Sequence, residues 1–347
     1  MEHEVHIISG KIVADHVHMF VSYKPQLALS KLVQYLKGGS SRILFEEFGY
    51  LKKGTPMNID YDSLFCFVDD FCKGFENWYK KTLITSGIRK RNKPCKMILS
   101  EIITILIAFH QSGMSCFKYF YLELMRNHRN LFSYLVHYDR FTALIKLAFP
   151  ALICMLKSLE GKVTEYMFID ATPMAVCHNL REKRHKVFKG LAKKGKTSTG
   201  WFFGFKLHFI LNTFGEIVSM TITGGNVNDR SPVMDMVKGI TGKLIGDKGY
   251  ISKKLSAELF EQKVTLITKI KKNMKNILMD TTDKMMLMRR SFIETIFSSM
   301  KSLNTLIHSR HRSPINAFSH LFAGLINYQI RTDKPSLDQL VKLDSYA

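Results

Sequence analysis

Two carboxylates, Asp170 and Asp247, stand where apolar residues are expected, and a third, Glu294, stands on the polar face of a helix between two cations. Asp170 lies in FIDAT, inside the apolar run TEYMFIDATPMAV, and Asp247 lies in IGDKGY, where a short strand ends and Gly249 lets the chain turn. Burying an unpaired carboxylate among apolar neighbours costs several kcal/mol, so neither acid is there for stability. Glu294 falls in the helix-like run Asp283 to Leu306. At 100° per residue Arg290, Glu294 and Lys301 come within about 40° of one another, opposite the apolar Phe292, Ile293, Ile296, Met300 and Leu303. Three acids brought together repel unless cations neutralise them, and an oxygen-only donor set favours Mg²⁺ or Mn²⁺. A pair of such ions, roughly 4 Å apart, activates a water or a 3′-hydroxyl and stabilises the leaving oxygen of an in-line phosphoryl transfer.

Around these acids the chain is cationic. From Arg181 to Lys206 there are nine Lys and Arg (181, 183, 184, 186, 189, 193, 194, 196, 206) against one acid, Glu182. Of these, Arg184, Lys186, Lys189 and Lys196 are assigned to backbone phosphates, with Phe188, Trp201 and Phe203 available to stack on a base and Phe202 assigned to core. Lys248 either reaches a phosphate or pairs with Asp247 or Glu294. Arg290 and Lys301 either contact phosphate or position the carboxylates. The run Lys269, Lys271, Lys272 and Lys275, with HSRHRS after it, is expected on a phosphate backbone, a contact that carries no sequence information. Asp229 in GNVNDR is taken as a helix N-cap, with a supporting role near the acids as the alternative. His178 is taken as a polar loop residue.

The elements that must hold these residues follow from periodicity. Residues 161 to 330 alternate as β-β-β-α-β-α-β-α: FIDATPMAV, GWFFGFKLHFILN and EIVSMTITG form a meander, then come a helix after Asp229, the strand KLIGDKGY, the helix SKKLSAELFEQ, the strand VTLITKI and the helix bearing Glu294. That is the element order of a ribonuclease-H-like α/β domain with a mixed five-stranded sheet, in which the first and fourth strands are neighbours. Residues 57 to 160 read as helices throughout, the first opening near Asp62, and a Gly-containing turn at residues 113–115 is compatible with helix-turn-helix DNA binding. Arg89, Lys90, Arg91, Lys93 and Lys96 there are either DNA contacts or a solvated face. Residues 3 to 23 read as strand, turn and strand, with His16 and His18 on one face, and a helix follows from Ser30. Gly54-Thr55-Pro56 marks a junction. The layout is therefore a short α+β fragment at 1–56, a helical domain at 57–160, the catalytic domain at 161–335 and a tail at 336–347.

Composition agrees with a nucleic-acid partner. A net charge of +22 over 347 residues, with 46% hydrophobic and 23% charged residues, describes a basic globular chain suited to polyanions. Six cysteines without a CxxC pair or zinc spacing argue against a disulfide framework, and a reducing cytoplasm is the expected setting. Lys146 and Pro150 interrupt the most apolar stretch, so no membrane span is expected.

Two resemblances sharpen this reading. ADHVHMFVS followed by P-x-L-x-LSKLVQYLKGGSSR resembles the histidine–hydrophobe–histidine single-tyrosine transposases, whose two histidines bind a divalent metal while a later tyrosine attacks DNA. The likeness covers about residues 3 to 53 and stops before the tyrosine helix, so His16 and His18 are read as the relic of a metal site. FIDATPMAVCHN, RHKVFKG, GKTSTGWFFGFKLHFI, GNVNDR, GDKGYIS, LITKIKKNMKN, RRSFIETIF and RHRSPINAF are similar to DDE transposases of bacterial insertion sequences, in particular the insertion sequence 982 family, over residues 57 to 335. That resemblance implies Asp170, Asp247 and Glu294 as the metal-binding catalytic triad, two Mg²⁺ or Mn²⁺ ions, DNA ends and target DNA as substrates, and a homodimer on paired ends. Arg290, Glu294 and Lys301 fit an R-x₃-E-x₆-K signature, whose usual upstream tyrosine is replaced by Leu287. The alternatives are a non-transposing nuclease of the same fold and an inactive DNA-binding remnant left by fusion of two transposase pieces.

Overall fold

The computed structural model describes residues 5–12, 17–23, 59–85, 95–132, 134–197, 200–270, 279–302 and 311–337. The chain divides into two compact units, Met1–Met57 and Asn58–Ala347. In the first, strands β1 (Val5–Ile12) and β2 (Val17–Tyr23) pair antiparallel, from Val5 opposite Tyr23 to Ile12 opposite Val17. A register irregularity between Ile7 and Ser9 interrupts them. His18 lies on β2; His16 and the helix expected from Ser30 fall outside the described residues.

The second unit begins with four helices, α1 (Tyr61–Thr85), α2 (Leu99–Gln111), α3 (Phe117–Asn127) and α4 (Tyr138–Ser158). Asp60, not Asp62, supplies the acceptor at the start of α1, taking the Ser63 N–H at 3.0 Å and its hydroxyl at 2.6 Å. The centre of the helical layer is α2, whose residues Ser100 to His110 are all buried. The Glu101 carboxylate closes its first turn on the Ile98 N–H at 3.0 Å. By length and composition α4 could cross a membrane, but Phe141, Leu144, Ile145, Ala148 and Leu152 are buried in the core. Helix α9 (Pro314–Ile330), started by Ser313 and Pro314, packs on α4 and α2.

A mixed sheet follows: β3 (Tyr166–Cys177), β4 (Lys193–Thr197), β5 (Gly200–Asn212), β6 (Ile217–Gly224), β7 (Gly242–Gly246) and β8 (Val264–Thr268). It has six strands rather than the five expected. The addition is β4, within the stretch read as a basic loop. It pairs with residues 200–204 of β5, and β6 continues along the same edge over residues 205–211. Gly195 makes this edge feasible, because a Cβ there would run into the carbonyl of Gly225. The remaining order is β5-β3-β7-β8, with β3 antiparallel to β5 and parallel to β7.

Helices cover both faces of the sheet. Met167, Ile169, Ile210 and Leu244 pack with α5 (Val233–Met236) and α6 (Lys253–Glu261). Phe168, Leu207 and Phe209 join one continuous core with α8 (Phe292–Ser302) and the helices before residue 160. Helix α9 ties those layers together: its Tyr328 hydroxyl donates to the Gly215 carbonyl at 2.7 Å. The Gln329 amide accepts from Ile217 N–H at 2.9 Å and donates to the Leu159 carbonyl at 2.6 Å.

The helix expected from Asp283 to Leu306 is two helices. α7 (Thr281–Met288) ends in a 3₁₀ turn, Arg289–Ser291, before α8 begins. Its far end is pinned at the sheet, where Asp283 accepts from Lys243 and from the Tyr166 hydroxyl, each at 2.7 Å. α8 instead packs Phe292 edge-on against Phe168, with ring centroids 5.5 Å apart. The 3₁₀ turn lies between these two anchors. Leu303 and the residues after it up to 310 lie outside the described residues.

Candidate active site

β3 and β7 are parallel neighbours, with Met167 opposite Leu244 and Phe168 opposite Ile245. Carried two residues further, that register brings Asp170 level with Asp247. The alternation of β3 puts Asp170 on the same sheet face as Phe168, the face covered by α8. Arg290 reaches in from the 3₁₀ turn and bridges the strand to the helix. One guanidinium nitrogen lies 3.3 Å from Asp170 Oδ2 and another 3.1 Å from Glu294 Oε1. The i, i+4 pair read from the sequence therefore forms despite the break in the helix.

The environments of the acids differ. Asp170 has a quarter of its side chain exposed and Glu294 well over half. Asp247 is exposed at the end of β7, where its carbonyl accepts the Tyr250 N–H in a 3₁₀ turn. Burial pushes the Asp170 carboxyl up to about 6, and Asp247 and Asp229 push the same way. The Ala171 N–H, 2.8 Å from Oδ1, and Arg290 oppose this without cancelling it. Burial thus outweighs the attraction of Arg290 at Asp170. Among the described residues, no group of three or more His, Cys, Asp or Glu is gathered closely enough to hold a metal ion as it stands. The Arg290 guanidinium is the cation between Asp170 and Glu294.

Asp229 does not cap a helix, since the short α5 starts after Pro232. It accepts from Lys206 Nζ at 2.8 Å, and Lys206 also donates to the Val227 carbonyl at 2.9 Å. Lys206 is thereby turned inward, away from the phosphate-contacting role given to its stretch. It lies on β5 opposite Pro173, with its side chain 14% exposed. Beside it on β5, His208 is buried with Nε2 2.8 Å from Thr223 Oγ1, and burial pulls its imidazole down to about 4. Nothing in the sequence singles out Tyr250. Its ring is 2% exposed, its hydroxyl has no hydrogen-bond partner, and Asp170, Asp229 and Asp247 all lie close enough to act on it. The ring fits because Gly246 has no side chain: a Cβ there would sit 3.1 Å from Tyr250 and 3.2 Å from Ile169. Gly246, rather than Gly249, is the glycine this turn requires; Gly249 is not among the residues with positive φ.

The cations divide. Arg184, Lys186, Lys189, Lys196, Lys248 and Lys301 are exposed, whereas Lys271 and Lys272 lie outside the described residues. Trp201 is exposed, with Lys194 and Lys196 5.3 and 5.6 Å from its ring centre. Phe188 and Phe203 are core residues, not stacking platforms, and Phe202 is buried as expected. His178 starts the 3₁₀ turn Asn179–Arg184 by accepting the Leu180 N–H.

Comparison with known proteins agrees with both resemblances. Residues 160–314 match the family model described as a transposase DDE domain. Residues 1–66 match the model for IS200-like transposases, a likeness that runs past the expected junction into the first turns of α1. The transposases for insertion sequence element IS200 of Salmonella typhimurium and Salmonella typhi are each 44% identical over 48 residues, 14% of this chain and 32% of theirs. The chain spans about a third of the length of these relatives. Among solved structures, a piggyBac transposase synaptic complex with hairpin DNA aligns at 10% identity over 70% of this chain and 68% of that one, with a TM-score of 0.38. A Mos1 mariner paired end complex with Mn aligns at 12% identity over 86% and 92%, with a TM-score of 0.26. The chain thus carries a stretch similar to IS200-like transposases, followed by one similar to a transposase DDE domain.

Proposed function

We propose that the protein is a DNA transposase that cuts the ends of an insertion element and joins them to target DNA. The observation that carries this is the Asp170 neighbourhood: a largely buried carboxylate, level with Asp247, near Asp229, and linked through Arg290 to Glu294. The sheet order β6-β5-β3-β7-β8 supports a ribonuclease-H-like catalytic domain. The donor set fits hard divalent cations, since all three side chains offer carboxylate oxygens. Asp170, Asp247 and Glu294 would hold Mg²⁺ or Mn²⁺, which activates the attacking oxygen and stabilises the leaving one.

In cleavage a water oxygen bonds to the scissile phosphorus as the P–O3′ bond breaks, leaving a 3′-hydroxyl and a 5′-phosphate. In joining, that 3′-hydroxyl attacks a target phosphodiester and displaces the target's own 3′ oxygen. The proton of the attacking group passes to solvent or to a carboxylate. Arg290 holds Asp170 and Glu294 in register before DNA arrives and then faces the phosphate. Arg184, Lys186, Lys189, Lys196, Lys248, Lys271, Lys272 and Lys301 neutralise backbone charge. Two copies act on paired ends.

The test is cleavage and strand transfer with Mg²⁺ on duplexes taken from the flanks of the coding sequence. Wild type should yield both products, and Asp247→Asn and Glu294→Gln neither, with DNA binding retained. Equal cleavage by wild type and Asp247→Asn removes that residue from the mechanism. The position of Arg290 between Asp170 and Glu294 favours one further reading, a DNA-binding remnant without chemistry. In that case wild type binds the ends and cuts nothing.

A further inference from the structure

Beyond the C-terminal half of β3 lies a cavity of about 720 Å³ that the carboxylate site does not use. Arg181, Arg184, Lys186, His185, His311 and Cys177 line it. Its lining therefore includes three permanent cations and no carboxylate. The one acid of the adjoining turn, Glu182, leans instead toward Lys194, 3.8 Å away. The turn that carries the arginines is fixed: His178 accepts the Leu180 N–H at its start, and Asn179 donates to the Trp201 carbonyl on β5. The His185 ring stacks on Phe188, and its Nε2 is buried without a partner. A fixed, concave set of guanidinium, ammonium and imidazole groups matches the several acceptor oxygens of a phosphate.

Cys177 is seven residues along β3 from Asp170, so the cavity is about 23 Å from Asp170 at a rise of about 3.3 Å per residue. At about 3.4 Å per base pair this is about seven base pairs along a duplex. We propose that this cavity binds a phosphate of the DNA whose scissile bond lies at Asp170, setting the distance at which the duplex is gripped. The inference rests on the transposase reading and concerns binding alone.

Cys177 provides the reporter. The full chain, with EDTA to prevent cleavage, is treated with iodoacetamide in the presence of a 40-base-pair duplex, and alkylation of Cys177 is followed by peptide mapping. DNA should slow Cys177 alkylation at least fivefold in wild type and not in Arg181→Ala/Arg184→Ala. The same double variant should lower the salt slope of duplex binding by about 1 to 2. Lys238→Ala/Lys254→Ala, which removes the same net charge from the turn after α5 and from α6, should leave protection of Cys177 intact. Duplexes with 5′-phosphate and 5′-hydroxyl ends separate the sources: protection by both assigns an internal phosphodiester, and protection only by the former assigns a terminal phosphate. If DNA binds but Cys177 reacts at its free rate, or is protected equally in the arginine variant, the cavity is not a phosphate site. If wild type binds no duplex at all, the transposase reading fails with it.

Discussion

Asp170→Asn should make the protein more stable while abolishing cleavage. Burial raises this carboxyl from the ordinary 3.8 to about 6. A folded-state pKa above the unfolded one means that the native state binds the proton more tightly. The associated stability is fully present below pH 4 and is lost as pH rises through 6. At 1.36 kcal/mol per pH unit, the ionised group costs the native state about 3 kcal/mol at neutral pH. Asparagine keeps the shape and the acceptor for Ala171 N–H but carries no charge. It gives up the Arg290 contact, and Arg290 retains Glu294. Those losses leave a net gain of about 1–3 kcal/mol at pH 7.5. Urea denaturation of both proteins at pH 4 and pH 7.5 reads it, since other carboxylates cancel in the difference. The stability gap should open between the two pH values in favour of the variant, and added Mg²⁺ should narrow it by stabilising wild type alone. A variant less stable than wild type at pH 7.5, or a gap independent of pH, would refute the account of Asp170 as an uncompensated buried charge.

Three further substitutions probe the surroundings of that acid. Tyr250→Phe removes a buried hydroxyl that has no partner, so stability should change by less than about 0.5 kcal/mol in urea; a loss of several kcal/mol would reveal a bond that the structure does not contain. Gly246→Ala pushes a methyl against the Tyr250 and Ile169 side chains and should cost about 1–3 kcal/mol in the same assay. Lys206→Met leaves Asp229 without its ion pair and adds negative potential near Asp170. The cleavage optimum should then move to higher pH, and an unchanged pH profile would disconnect Asp229 from the site.

What could be read from the sequence is what local periodicity dictates. Asp170 and Asp247 stood out because each interrupts a run whose neighbours must be buried, and the adjacency of their strands followed from the order of elements. Arg290 and Glu294 stood out because four residues separate them on a helix. What escaped has in common a dependence on distant segments. Nothing near residue 250 announces that a tyrosine three positions after Asp247 turns its ring under the strand end, because the space is made by Gly246 and Ile169 together. Lys193 to Thr197 looks like a basic loop because strand β4 lies at the sheet edge, where three lysines face solvent and only Gly195 must be buried. Lys206 looks like its cationic neighbours until β6 and the residues after it place Asp229 within 2.8 Å. The break at Arg289–Ser291 is invisible to a 100° projection; it lies between two tertiary anchors, Asp283 on Lys243 and Phe292 on Phe168. The same break aims Arg290 at Asp170 as well as Glu294. Tertiary anchoring thus turns a local i, i+4 pair into a link between strand and helix, and the chemistry of the site depends on that link.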